Sequence, residues 1–330
     1  MNIINDSDLT FVIQGAVSDT QSLTRCIQSI KKYFFDSKII LSTWKGSDCS
    51  KYDIDNLVLS DDTNLVEFFY KNQNTLNNIN RQIISTRNGL KKSNTKYSVK
   101  IRTDIVFKSN KLLKILGGLN TNTCKRFDLK SQIITPIDLC LNPEKSKLLY
   151  HFNDWIVGGL TEDILKIFDI PLMTKKDLIY YKDKNFNIKK IYTLINWYED
   201  NIQYNVLKKY LLARFTPEQY IYKFIVLKKF KNNYADAFFV DNEHLNIHKL
   251  FFDNCISKNT ISDIDVMNCK HIYNFFTDRT IFYTKSQIEN KYFDFKFYAF
   301  KFIGFIKLLL NNVLFGYYPI IRNFYYKIIK

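Results

Sequence analysis

The sequence predicts an α/β protein, in which a mostly parallel sheet is flanked by helices and followed by a helical C-terminal part. Strand and helix signals alternate through the first 110 residues, a pattern typical of β-α-β units with parallel strands. The chain has 330 residues, of which 46% are hydrophobic. A chain of this length and composition can bury a full-sized core.

Two periodicities define the elements of the first 110 residues. Apolar residues recur at helical spacing in residues 20–33, where Leu23, Cys26, Ile27 and Ile30 share one face. Short apolar runs bounded by polar residues predict strands. The predicted strands are 9–17, 38–44, 56–60 and 97–107, and a second helix is predicted over 79–92.

The fourth predicted strand, Y97-S-V-K-I-R-T-D-I-V-F107, is unusual in its charge. Because strand side chains alternate, Lys100, Arg102 and Asp104 share one face. The opposite face, with Val99 and Ile101, is apolar and is expected to pack against a helix. The charged face is either the solvated side of an edge strand or part of a ligand site.

Two helix starts stand out in the rest of the chain. Thr161 is a predicted N-cap for a helix over 161–168, with acidic residues in its first turn. Thr216 is a second predicted N-cap, followed by proline at the first helical position. We divide the chain into an α/β half (1–170), a mainly helical part (171–283) and a tail (284–330).

The tail is basic and rich in aromatic residues. It carries eight basic and two acidic side chains, within a net charge of +16 for the chain. Such segments bind an anionic membrane interface by combining apolar burial with electrostatic attraction, and we expect this here. Packing of the tail on the core and a homodimer contact are the alternatives.

Targeting and composition favour a cytoplasmic protein that is peripheral to a membrane. The sequence starts without the basic and apolar segments of a signal peptide, and no run of about 18 uninterrupted apolar residues predicts a membrane span. Six cysteines without C-x-x-C spacing indicate free thiols. No known nucleic-acid motif accompanies the positive charge, so nucleic acid is not an expected partner.

The carboxyl ends of the predicted strands carry polar residues. Ligands of open α/β sheets bind at that edge, so the joint position of these residues predicts a binding site there, although each alone is equally an ordinary loop residue. Neither a G-x-G-x-x-G motif nor a P-loop follows the first strand, which argues against dinucleotide and ordinary NTPase sites. The residues are Gln14 and Gly15, Thr43 and Trp44, Asp61, and Arg102 with Asp104.

Six segments together resemble the WavE lipopolysaccharide-synthesis family, in the family's order and over roughly residues 9–225. The resemblance implies a GT-A-like (Rossmann-like) fold and a nucleotide-sugar glycosyltransferase of surface polysaccharide assembly. Residues 1–170 are then the nucleotide-sugar-binding half, and 171–283 face the acceptor. The segments are FVIQGAV (11–17), LSTWKG (41–46), NRQIISTRNGL (80–90), VKIRTD (99–104), NDWIVGG (153–159) and PEQY (217–220).

The resemblance also implies roles at the donor site. GT-A enzymes hold Mg²⁺ or Mn²⁺ with an Asp-x-Asp motif, and here that place has Arg102, Thr103 and Asp104. Asp104 is the candidate metal ligand, whereas Arg102 can take over part of the diphosphate neutralisation. Lys100 is interpreted as a buried partner that orients a carboxylate of the site. The residues expected around the nucleotide are Gln14, Gly15, Thr43, Trp44 and Asp61.

Arg81 and Gln82, at the start of the second helix, are expected to contact the donor. The alternative for this pair is a solvated helix face, with Arg81 in a surface salt bridge.

An inverting transfer needs a general base near the acceptor hydroxyl, commonly a carboxylate. Asp154 is the first candidate, with a turn-forming aspartate as its alternative. Glu218 and the pair Glu162–Asp163 follow it. His151 is a candidate phosphate contact or, alternatively, a structural histidine.

The predicted function is glycosyl transfer from a nucleotide sugar to a lipid-linked saccharide at the inner membrane face, in surface polysaccharide or lipopolysaccharide biosynthesis. The anionic leaflet is the expected partner of the tail. Two alternatives remain open: a nucleotidyl- or phosphotransferase of the same pathway, and a non-catalytic, membrane-attached assembly protein.

Overall fold

The computed structural model of the chain describes residues 3–63, 66–70, 73–146, 148–174, 177, 215–230, 242–268 and 283. All of them belong to one compact unit, Met1–Lys285. The predicted tail and most of the region between 174 and 214 lie outside the described residues. No helix within the described ranges is long and apolar enough to span a bilayer.

Strands and helices alternate along the chain as the periodicities predict. In chain order the elements are β1 (Leu9–Gln14), α1 (Thr20–Tyr33), β2 (Lys38–Trp44), β3 (Asn56–Ser60), β4 (Val66–Tyr70), β5 (Gln73–Asn77), α2 (Ile79–Leu90), β6 (Tyr97–Arg102), β7 (Ile105–Phe107), α3 (Lys111–Gly117), β8 (Ile133–Ile134), α4 (Pro143–Ser146), β9 (Ile156–Leu160), α5 (Thr161–Phe168), α6 (Pro217–Leu227), α7 (Asn242–Cys255), β10 (Ile256–Ser257), α8 (Ile261–Ile264) and β11 (Val266–Asn268).

The main sheet has seven strands in the order β10-β8-β9-β6-β1-β2-β3. β6, β1, β2 and β3 are mutually parallel, whereas β9 runs antiparallel to both β6 and β8. The sheet is therefore mostly parallel with flanking helices, and the predicted fold class is confirmed. The chain leaves β1 toward β2 and later returns to the other side of β1 as β6, so β1 and β6 form a topological switch point.

One face of the sheet packs against α1. Asp19 caps α1 by accepting a hydrogen bond from the Ser22 amide at 3.1 Å. The predicted apolar face of α1 is buried against alternate residues of β1, β2 and β6. Three aromatic rings complete this side, with centroids 4.9–5.2 Å apart: Phe11, Phe34 and Phe107.

The other face of the sheet packs against α2, and a glycine makes this contact close. A Cβ atom added at Gly89 would lie 2.5 Å from Val12 Cγ1 and 3.0 Å from the Ser42 Cβ. On the same face of β6 are Ser98 and Lys100, both fully buried. The charged face of the fourth strand is thus interior, and it is not the solvated side of an edge strand.

Three predicted element boundaries are wrong. The stretch 97–107 is two strands: β6 ends at Arg102, and after a turn at Thr103–Asp104, β7 pairs with β11 in a separate sheet. Asp104 therefore does not continue the β6 face. β1 ends at Gln14, because Gly15 has φ +127°. Thr161 is not an N-cap, since Leu160 holds that position and Thr161 Oγ1 donates to the Thr95 carbonyl.

The predicted start of α6 is confirmed. Thr216 is its N-cap in a reciprocal capping box with Gln219, and Pro217 is the first helical residue. The later part of the chain also contributes strands, because β10 pairs with β8 and β11 with β7. The predicted boundary at residue 170 stays a prediction.

Gly89→Ala should destabilise the protein, because the added methyl group overlaps Val12. We expect a loss of about 1–3 kcal/mol in the free energy of unfolding, despite the higher helix propensity of alanine. Gln28→Ala, at an exposed position of α1, is the control and should change stability by less than about 0.5 kcal/mol. Denaturant unfolding measures both, and a Gly89→Ala variant as stable as wild type would contradict the packing.

Candidate functional site

The site lies at the carboxyl ends of β1 and β6, where the topological switch opens a crevice between neighbouring strands. Gln14, the last residue of β1, is opposite Arg102, the last residue of β6. Gln14 Oε1 accepts a hydrogen bond from Ser85 Oγ at 3.0 Å, which ties β1 to α2. Gly15 then turns the chain away with a positive φ that disfavours other residues.

Arg102 and Asp104 form an ion pair at this edge. The guanidinium donates from Nε to Asp104 Oδ1 at 3.1 Å and from Nη2 to Oδ2 at 2.7 Å. It also lies over the Trp155 ring, with Cζ 5.2 Å from the centroid. The arginine is partly exposed whereas the carboxylate is buried. Arg102 is therefore held in place with part of its donor surface turned to solvent.

The side chains around Asp104 do not fit its predicted role as a metal ligand. Both oxygens of Asp104 already accept hydrogen bonds from Arg102, and Mg²⁺ or Mn²⁺ needs several oxygen ligands. No group of three or more His, Cys, Asp or Glu side chains gathers as a metal site within the part of the chain that the structure describes. Among the described residues, the cation paired with Asp104 is the Arg102 guanidinium.

A second arginine stands at the end of β2. Arg81 Nε donates to Asp62 Oδ1 at 2.6 Å, and Arg81 Nη2 bonds the second oxygen. Its Cζ lies 6.0 Å from the centroid of the Trp44 ring. Arg81 thus forms an ion pair with Asp62, as the alternative interpretation expected. The pair lies against Trp44 at the edge of the sheet. A role in donor binding stays a prediction.

Asp154 is held through its side chain by α2 and through its main chain by the centre of the sheet. Gln82 Nε2 donates to Asp154 Oδ2, and Lys100 Nζ donates to the main-chain carbonyl of Asp154. No described residue donates to the second carboxylate oxygen, and 8% of the residue surface is exposed. Asp154 thus has a fixed orientation and one oxygen left for a substrate.

Glu218 and His151 form a neighbouring pair. Glu218 comes from the first turn of α6, and its Oε2 lies 3.4 Å from His151 Nε2. Burial raises the pKa of Glu218; the His151 ring opposes this shift, and the nearby Asp154 carboxylate adds to it. A raised pKa brings this carboxyl closer to neutral pH, where it can exchange protons.

The segment 149–154, which carries His151 and Asp154, is irregular backbone fixed from several sides. Tyr150 has φ +58°, an uncommon conformation for a bulky residue. Its amide donates to His248 Nδ1 at 2.9 Å, and burial lowers the pKa of His248 to about 3, which keeps this ring neutral. Further donors to the carbonyls of the segment are Gln219 Nε2 to Leu149, Thr135 Oγ1 and Tyr222 Oη to Asn153, and the Leu141 amide to His151.

The predicted site residues fall into groups that share this edge, with two exceptions. The Thr43 side chain lies on the face of β2 that packs against α1, whereas Trp44 lies on the other face. The Thr43 hydroxyl is 3.5 Å from Ser47 Oγ. Asp61 is 84% exposed and pairs with Lys45, so it points away from the crevice. Asp163 is buried and accepts bonds from the amides of Lys130 and Ser131, which is a structural role.

The N-terminus of α1, a frequent phosphate site in sheets of this topology, is filled by the protein itself. The Asp19 carboxylate accepts bonds there from the Ser22 amide and hydroxyl. A carboxylate at that position repels a phosphate. This agrees with the lack of a glycine-rich motif after β1.

Two neighbours of the site were missed by sequence reasoning. Trp155 follows Asp154 directly, and an aromatic residue beside a candidate base was an available signal. Ser85 reaches Gln14 from the second turn of α2, a contact that no local pattern indicates.

The fold and the site define an α/β protein with a site of arginines and carboxylates at the switch point of its sheet. The chain belongs to the WavE family, since a family model described as WavE lipopolysaccharide synthesis matches residues 9–300. The predicted family is thereby confirmed, and the match assigns the chain to lipopolysaccharide biosynthesis. A comparison with curated proteins finds no match.

Glu218→Gln should make stability less dependent on pH. Because the folded protein binds the Glu218 proton more tightly than the unfolded chain does, wild-type stability falls as pH rises from the ordinary carboxyl pKa through the raised one. We expect the variant to be more stable than wild type at pH 8, with the difference shrinking toward pH 5, in thermal unfolding at constant ionic strength. Glu162→Gln, at an exposed position, is the control; a pH-independent difference for Glu218→Gln would contradict the shift.

Proposed function

We propose that this protein is a glycosyltransferase that moves a sugar from a nucleotide-sugar donor to a saccharide acceptor in lipopolysaccharide synthesis. One observation carries the proposal: the candidate cation stacks on the residue that follows the candidate base. Trp155 lies under the Arg102 guanidinium, and the residue before it is Asp154. Glycosyl transfer needs both groups, one for the leaving phosphate and one for the incoming hydroxyl.

The donor would lie along the ends of β1, β2 and β6. Trp44 offers an aromatic surface for the base or a wall of the pocket. The diphosphate would reach the guanidinium of Arg102, whose side chain is partly exposed. As the bond between the anomeric carbon and the diphosphate breaks, negative charge develops on the leaving oxygen, and the fixed guanidinium stabilises it.

The acceptor hydroxyl would bind at the second carboxylate oxygen of Asp154. Its oxygen attacks the anomeric carbon as the diphosphate leaves, and its proton passes to Asp154. Gln82 holds the first oxygen, so the base is oriented before the acceptor arrives. Glu218 and His151 border the same space and would contact the acceptor or receive the proton from Asp154.

The acceptor is proposed to be lipid-linked, at the inner membrane face, because of the basic and aromatic tail of the sequence. A nucleotidyl- or phosphotransferase would release a nucleoside monophosphate or pyrophosphate instead of a nucleoside diphosphate. An assembly protein would bind no nucleotide sugar. Both are outcomes of the experiments below.

Asp154→Asn should abolish transfer and keep donor binding. Asparagine preserves the shape and the contact with Gln82 but cannot accept the proton, so we expect kcat to fall by about 10²–10⁴-fold. The measurement pairs release of nucleoside diphosphate with the thermal shift given by the donor. Asp36→Asn, at an exposed position of the α1–β2 connection, should match wild type, and an Asp154→Asn variant with full activity would remove the base from the proposal.

Arg102→Lys should weaken donor binding, since a lysine cannot reproduce the flat, bidentate contact or the stacking on Trp155. UDP-, GDP-, CMP- and dTDP-sugars, with and without Mn²⁺, are screened by thermal shift against wild type and the variant. We expect one class to raise the melting temperature of wild type and to lose most of that effect in Arg102→Lys. Arg25→Lys, exposed on α1, is the control, and a screen in which no donor stabilises wild type contradicts the proposed function.

A further inference from the structure

We propose that Lys100 is a positioning residue that holds Asp154 in place for proton transfer. The inference rests on the proposed function and deepens it, since it assigns the support of the base to a residue that no substrate can touch. The side chain is 0% exposed. Its action on the reaction must therefore pass through Asp154 and the neighbouring acids.

The position of Lys100 is fixed by the register of the sheet. It lies in the middle of β6, between Val12 of β1 and Val157 of β9. Its ammonium leaves the strand on the α2 side and donates to the main-chain carbonyl of Asp154. The ring of Phe168, on α5, lies 5.8 Å from Nζ. The contact therefore ties the segment that carries the base to the most rigid part of the fold.

Four charged groups act on Lys100. Arg102 follows on the same face of β6, Asp104 lies in the turn after it, Asp154 precedes β9, and Glu218 comes from α6. His151 lies beyond, against Glu218. Three carboxylic acids thus lie around two cations, Arg102 and Lys100.

Burial lowers the pKa of Lys100 from 10.5 to about 8, and Asp154 is the strongest influence that opposes this fall. At pH 7 the side chain is still mostly protonated. The ammonium therefore donates to the Asp154 carbonyl as a cation, and a charged donor makes a stronger hydrogen bond than a neutral one.

A merely structural lysine makes a different prediction. If Lys100 only filled space and satisfied a carbonyl, its loss would lower stability and leave the kcat of the folded enzyme unchanged. The split between kcat and KM separates the two roles, because a displaced base slows proton transfer and leaves donor binding as it is.

The test compares Lys100→Met, Lys100→Arg and Lys166→Met in the full chain. Lys166 is the matched control, since its Nζ also donates to a main-chain carbonyl, that of Asp128 at 2.7 Å, away from the site. For Lys100→Met we expect kcat to fall about 10²-fold and the KM for the donor to stay nearly unchanged. Lys166→Met should keep the wild-type kcat.

Lys100→Arg keeps a charged donor but is larger, so it displaces the Asp154 carbonyl. It should also lower kcat at an unchanged donor KM, and it keeps the inference testable even if Lys100→Met does not fold. A wild-type kcat in either folded variant, or a loss that lies entirely in the donor KM, overturns the inference alone. Absence of sugar transfer by the wild-type protein overturns the proposed function and the inference with it.

Discussion

The hydrogen bond from the Lys100 ammonium to the Asp154 carbonyl joins the centre of the sheet to the segment that forms the site. A buried ammonium is costly: a pKa of about 8 in place of 10.5 corresponds to about 3 kcal/mol. This cost remains after the carboxylates around the strand have compensated part of the desolvation. Carboxylates are therefore needed at this edge of the sheet, and the same carboxylates make the edge a candidate functional site.

The segment 149–154 shows how strain is held at this edge. A non-glycine residue with positive φ, such as Tyr150, costs on the order of 1–3 kcal/mol. Side chains of α6 and α7 and the interior of β6 all bond to this short segment. Irregular backbone that is so fully satisfied keeps His151 and Asp154 in one geometry, and preorganisation of this kind suits stabilisation of a transition state.

Local patterns predicted much of the fold and part of the site. Periodicity defined α1, β2 and β3, and capping chemistry defined the start of α6, because these signals are local. The break after Arg102 was not predictable, since Ile105–Phe107 has the composition of a continued strand and its partner β11 lies far along the chain. Strand-end reasoning placed Gln14 and Arg102 at the edge where the structure has them, whereas Asp154 was named as a candidate base from its own segment. The structure turns Thr43 to the other face of β2 and leaves Asp61 exposed beside Lys45, because the direction of a side chain at a strand end depends on where that strand stops.

A crystal structure with a bound nucleoside diphosphate sugar tests the central claim most directly, namely that Arg102 and Asp154 form one site at the β1–β6 switch point. The account predicts diphosphate oxygens within about 3 Å of the Arg102 guanidinium and the anomeric carbon turned toward Asp154. A diphosphate bound away from Arg102, or a sugar turned away from Asp154, would contradict it.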